Sequence, residues 1–135
     1  MIEKYVYTES GYSPLLINEG WQVAQLNCLP RHRLDDIDQI EVHRNTDEVF
    51  VLMEGVGVLM AAEVSEDGKI SYEMVNMVPG VTYNIPCGTW HNIAMNKDAK
   101  IIIVERDNTH LKDCAYIDLT REQQDEVREL IKKTL

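Results

Sequence analysis

The chain's 135 residues suffice for one domain and leave two cramped. At 44% hydrophobic and 27% charged, the composition is that of a folded globular chain and excludes a mainly disordered one. Lys and Arg number 13 against 23 Asp and Glu, a net charge of -10 that repels phosphate backbones and anionic headgroups, so neither nucleic acid nor a membrane is an expected partner.

Residues 1–18 carry no clear period. They are nonetheless rich in Tyr5, Tyr7, Tyr12, Leu15, Leu16 and Ile17, more apolar surface than an N-terminal segment needs. Trp21–Cys28 reads as a strand. Arg31–Asp38 is mostly charged and fits a loop or one helical turn. A series of short β-type runs follows. Val49–Met53 is apolar throughout and bounded by turn residues, and Val56–Val64 begins after Gly55. Asp67-Gly68 is a hairpin signal, because a tight turn needs positive φ. Ile70–Val78 returns from that turn, and Val81–Ile85, Trp90–Met95 and Lys100–Glu105 complete the run. Close spacing of short strands points to a sandwich or small barrel and not to βαβ units. At the end, Thr120 and Gln123 form a capping-box pattern. Val127, Leu130, Ile131 and Thr134 then share one helical face, so a helix is expected over about 120–134.

No run approaches the ~20 apolar residues of a membrane span, and no signal-peptide pattern opens the sequence. Cys28, Cys87 and Cys114 are odd in number and lack CxxC spacing, which fits neither a disulfide framework nor a thiolate zinc site. A reducing, cytoplasmic setting is expected.

Alternation places the chemistry. Residues two apart on a strand share a face, so Glu41 and His43 point the same way if 41–43 is extended. Glu48 shares a face with Phe50 and Leu52, and His91 with Ile93 and Met95. A hairpin near Arg44–Asp47 would let Glu48 meet His43. Two imidazoles and two carboxylates inside an apolar barrel are costly to bury unpaired, and a divalent cation would resolve that cost.

Residues 41–55, Glu-Val-His-Arg-Asn-Thr-Asp-Glu-Val-Phe-Val-Leu-Met-Glu-Gly, resemble the first motif of the cupin superfamily through His43, Glu48 and Gly55. Residues 80–91 match the second motif through Gly80, Pro86, Gly88 and His91. Three positions depart from the pattern: Asp35 stands in the leading Gly slot, Glu41 in the first His slot and Met95 in the closing Asn slot, with Asn96 one place late. Some cupin enzymes acting on ureido compounds look similar, with Glu-x-His supplying ligands. The motif region, 41–96, covers under half the chain.

The resemblance implies an all-β fold, a small antiparallel barrel or jelly roll with a C-terminal helix, in a single domain spanning 1–135. It implies a divalent metal (Mn, Fe, Zn or Ni) on Glu41, His43, Glu48 and His91, and a homodimer. The expected function is metal-assisted chemistry on a small organic acid or sugar derivative, as an isomerase, lyase, hydrolase or dioxygenase. The alternative is a non-catalytic module that binds or senses a small molecule. Tyr83 and Glu105 are the candidates for a general acid or base. His32 and His110 are expected at the surface, Cys87 in a turn, and Trp90 on the face opposite His91.

Overall fold

The computed structural model describes residues 1–135. Its strands are β1 (Gly11–Asn18), β2 (Trp21–Asn27), β3 (Gln39–Val42), β4 (Glu48–Glu54), β5 (Gly57–Val64), β6 (Ile70–Asn76), β7 (Thr82–Ile85), β8 (Trp90–Met95), β9 (Lys100–Glu105) and β10 (Ala115–Asp118). A one-turn helix α1 (Thr109–Lys112) and the terminal α2 (Arg121–Thr134) complete the chain. The strands form two five-stranded sheets, ordered β1-β2-β9-β4-β7 and β10-β3-β8-β5-β6. Ladders between these strands are antiparallel, and none joins one sheet to the other. The expected barrel therefore takes the jelly-roll form, two sheets face to face with the site between them.

The two sheets are buried differently, and their sequences show it. In the first sheet, β4 and β9 alternate between buried and half-buried positions, because only one face meets the core. Its inward side chains, among them Phe50, Leu52, Ile101 and Ile103, pack on Leu59, Ile93 and Met95 of the second sheet. The second sheet is covered on its other face as well. Ile40, Val58, Met60 and Ala94 project outward under α2, which lays Val127 and Ile131 on them. That double coverage explains why β5 and β8 are buried almost without alternation. Thr120 and Gln123 make the capping box that starts α2, and Lys132 and Lys133 lie in its last turn.

Most strand expectations hold to within two residues. Two edge strands, β1 and β10, were missed. β1 contains Gly11, Ser13 and Pro14 and breaks register between Pro14 and Leu16, so it is held by its ladder to β2 and has little strand propensity of its own. β10 is four residues long and paired only with β3. Arg31–Asp38 is a loop entered by one 3-10 turn, Pro30–His32. The hairpin expected near Arg44–Asp47 does not form. β3 and β4 belong to different sheets, so the chain turns a corner between layers there. Gly55 closes β4 at φ +82, where an added Cβ would stand 2.5 Å from the Ala99 Cα. Only glycine fits that approach.

Candidate metal centre

Glu41 lies on β3 with Ile40 and Val42 pointing the other way, into buried packing. The ladder sets Glu41 opposite His91 of β8. His43 follows β3 by one residue, and the corner after it carries the chain across to Glu48, the first residue of β4. The corner is pinned from several sides. The Gly88 N–H donates to the His43 carbonyl (2.8 Å). Asp47 accepts from the Cys87 N–H (2.8 Å) and from the Asn84 amide (3.1 Å). Asp113 accepts from the N–H groups of Arg44 and Asn45, each at 2.9 Å.

Glu41, His43, Glu48 and His91 thus converge, as strand alternation predicted, with one ligand atom from each inside 4.8 Å of the others. Nε2 of His43 lies 2.7 Å from Oε2 of Glu48, and Nε2 of His91 lies 2.9 Å from the same oxygen. Glu41 stands further out, 3.6 Å from His91 Nε2. Each imidazole uses its other nitrogen on the main chain. His43 Nδ1 meets the Asp113 carbonyl at 2.6 Å and His91 Nδ1 the Thr89 carbonyl at 2.9 Å. A carbonyl only accepts, so each Nδ1 carries hydrogen and each Nε2 faces the centre.

Burial works to raise the Glu48 pKa, but hydrogen bonds and charge from both imidazoles outweigh it and bring it to about 2. Burial likewise works to lower the His43 pKa, and Glu48 overrides it to about 9. The pKa of His91 is raised by Glu48 against the same opposition. Burial and then the charge of Glu48 raise the pKa of Glu41. Two imidazoles and two carboxylates of this kind are a donor set for a divalent cation, which would relieve the repulsion between the paired acids.

The centre opens onto a cavity of about 360 Å³ between the sheets. Phe50, Ile93 and Ile103 supply apolar wall, and Tyr12, His32, Asn92, Glu105, His110, Cys114 and Tyr116 add polar groups. His32 and His110 therefore belong to the cavity and not to the open surface. The His32 ring is drawn in by the Ile93 carbonyl (3.1 Å) and His110 by the Gln22 amide (3.1 Å). Their polar sequence neighbours hid this. Glu105 lines the cavity at 5% exposure. Tyr83 does not line it. Its hydroxyl accepts the Val78 N–H at 3.0 Å, and its ring borders a separate groove beside β6. Trp90 packs on the outer face of its sheet, with the Arg44 guanidinium 5.8 Å above its ring. Cys87 is exposed, its thiol donating to the Arg44 carbonyl.

Tyr12, Gln22 and Cys114 were not singled out in the sequence. Tyr12 offered only its place in an unusually aromatic N-terminal segment, and Gln22 and Cys114 offered no signal, because their positions depend on pairings across 80 or more residues and on the chain's return through β10.

No protein family matches the sequence, and no curated protein does. Solved structures do match. The Streptomyces nucleoside dehydratase Pac13 superposes with a TM-score of 0.62 at 11% identity, over 90% of this chain and 96% of its own. A protein of Bacillus halodurans gives 0.55 at 21% identity, over 78% and 76%. A cupin superfamily protein of Desulfitobacterium hafniense gives 0.51 at 13%, over 76% and 84%. At such identities the likeness concerns the fold. Sheet order, motif positions and superposition agree, and the chain has the fold of the cupin superfamily.

Proposed function

We propose that the chain is a metal-binding cupin in which Glu41, His43, Glu48 and His91 hold one divalent cation, Mn, Fe, Zn or Ni, at the inner end of a cavity for a small organic acid or sugar derivative. The observation that carries this is the shared aim of the two histidines. With both Nδ1 atoms committed to carbonyls, both Nε2 atoms converge on one carboxylate oxygen. A cation bound there supplies Lewis acidity or activates water or dioxygen. The chain's own residues do the rest. Phe50, Ile93 and Ile103 line the cavity with apolar surface, while Glu105 and Tyr12 add polar atoms to it. The chemistry is isomerisation, elimination, hydrolysis or dioxygenation of the enclosed molecule.

A second reading is a non-catalytic module that binds or senses a small molecule, with or without metal. One observation favours its metal-free form. Glu48 and the two imidazoles already satisfy one another by hydrogen bonds at 2.7 and 2.9 Å.

Metal-dependent loss of a candidate substrate separates the two, and elemental analysis of the purified parent, His43→Ala and His91→Ala proteins tests the metal. The metal reading expects near-stoichiometric metal in the parent and little in either variant. Equal metal in all three, or a parent that refuses added Mn, Fe, Ni and Zn, sinks it.

The same proposal includes one domain across 1–135, a cytoplasmic setting and a homodimer. Three free cysteines support the setting, and no helix is long and apolar enough to cross a membrane. The pairing draws on residues 1–8, which join no ladder and expose Met1, Ile2, Tyr5 and Val6. Such an arm can add to a neighbour's sheet edge. Light scattering of the whole chain and of a chain lacking residues 2–8 tests this. The dimer reading expects twice the chain mass only in the first.

A further inference from the structure

β9 carries Ile101, Ile103 and Glu105 on its inward face, and the first two are buried core. The alternation calls for a third apolar residue, and a carboxyl stands there instead, 5% exposed. Its surroundings are built for one of its two oxygens only. Oε1 accepts from the Tyr12 hydroxyl at 2.6 Å and from the Gln22 amide at 3.3 Å. The same Gln22 amide donates to the Tyr12 oxygen at 2.8 Å. Gln22 cannot flip, because its own Oε1 takes the Asn108 N–H at 2.8 Å. Asn108 is the one non-glycine residue with positive φ (59°), a conformation that costs energy and sets that amide in place. Glu105 Oε2, equally buried, has no partner.

An unpartnered carboxyl oxygen is expensive to bury, and buried polar groups otherwise find partners. The fold fixes this side chain with two others and leaves the remaining oxygen without a donor. The residue lines the same cavity as the metal centre. The ladder pairing Val49 with Val104 extends one step to set Glu48 beside Glu105 on the inner face. A molecule held at the centre therefore passes close to Glu105.

We propose that Glu105 is the second polar pole of the cavity, its free oxygen accepting a hydroxyl from the small molecule that the cavity encloses, which makes the ligand class a hydroxylated one, a hydroxy acid or a sugar. This rests on the reading of the cavity as a ligand site and narrows it. Tyr12 and Gln22 are positioning residues. They orient the carboxyl and leave its second oxygen without a partner.

The test is titration calorimetry of the metal-loaded protein with paired probes: glycerate and propionate, 3-hydroxybutyrate and butyrate, malate and succinate. The expected result is a hydroxylated member binding about tenfold more tightly than its deoxy partner in at least one pair. In Glu105→Gln the fixed donors hold the amide oxygen inward, so a donor replaces the open acceptor. The amide can bond the ligand only as a neutral donor to the hydroxyl oxygen, so the hydroxyl advantage should fall several-fold there while metal content stays that of the parent. If Glu105→Gln does not fold, Tyr12→Phe releases the carboxyl and should reduce the advantage several-fold. A panel with no binder, pairs bound equally by the parent, or a preference undiminished in both variants overturns the proposal. A parent without metal counts against the metal reading alone. The same probes are then titrated into the metal-free protein, where the hydroxyl preference still decides the role of Glu105.

Discussion

Asp113 holds His43 through two different groups. Its carbonyl takes the imidazole Nδ1 at 2.6 Å, and its carboxylate takes the N–H groups of Arg44 and Asn45, the next two residues along. One residue seventy positions away therefore fixes both the ring and the corner that follows it. Asp113→Ala keeps the carbonyl and loses the corner. The expected outcome is metal affinity lower by about 10- to 100-fold, read by competition with a chelating dye. Asp113→Asn, which retains one acceptor oxygen, should fall between. Parent-like affinity in Asp113→Ala would show that the corner holds His43 without the carboxylate.

Above about pH 5 the stability of the metal-free protein should fall as pH rises, with His32 and His110, whose pKa values burial lowers, acting against the trend. His43, raised from 6.5 to about 9, contributes fully below 6.5 and is lost as pH passes through about 9, and His91 acts in the same direction. Glu105, raised from 4.5 to about 7, contributes fully below 4.5 and is lost through 7, with Glu41 following the same sign. Glu48, lowered from 4.5 to about 2, contributes above 4.5 and is lost as pH falls towards 2. The maximum should therefore lie near pH 4.5–5. The stabilisation on adding metal should run the other way, growing from pH 5 to 8 as protons leave the imidazoles. Thermal melts in chelator and in added metal across that range check both slopes. Parallel slopes would contradict the cluster as a metal site.

The covering helix is structural. Ile131 is buried between α2 and the outer face of the second sheet, remote from the cavity. Ile131→Ala should cost about 2–4 kcal/mol in denaturant melts. Metal content of the folded protein should stay unchanged, and a loss of metal at constant fold would assign α2 a role in the site.

Gly55→Ala tests the turn beside the motif. The new Cβ would meet the Ala99 backbone at 2.5 Å and Asn96 Oδ1 at 2.8 Å, and alanine disfavours φ +82. Asn96 Oδ1 meanwhile accepts the Val56 N–H at 3.0 Å. Destabilisation of about 1–3 kcal/mol is expected. A neutral result would mean the turn can open without strain.

The sequence made one half of the site legible. Glu41, His43, Glu48 and His91 could be placed because a period of two assigns each to a face, and the inward neighbours Phe50, Leu52 and Ile93 identify that face as the core. The same period cannot say which sheet a strand joins. Hence the corner between β3 and β4 read as a hairpin, although the predicted meeting of His43 and Glu48 occurs. Glu105 was named only as a candidate acid or base, although its place as a charge on the face of Ile101 and Ile103 carries the same signal. His32 and His110 were not legible, because each is held at the cavity by a hydrogen bond distant in sequence, to Ile93 and Gln22, that no local pattern encodes.

The acceptor for His91 Nδ1 is the carbonyl of Thr89, an atom that every amino acid carries. Side-chain replacement at position 89 therefore leaves the ring's anchor in place, whereas a one-residue insertion or deletion between Pro86 and His91 moves it. A comprehensive variant library should find position 89 permissive to substitution and the loop intolerant of any change in length. The ring's direction is held by how many residues the loop contains, more than by the side chain at position 89.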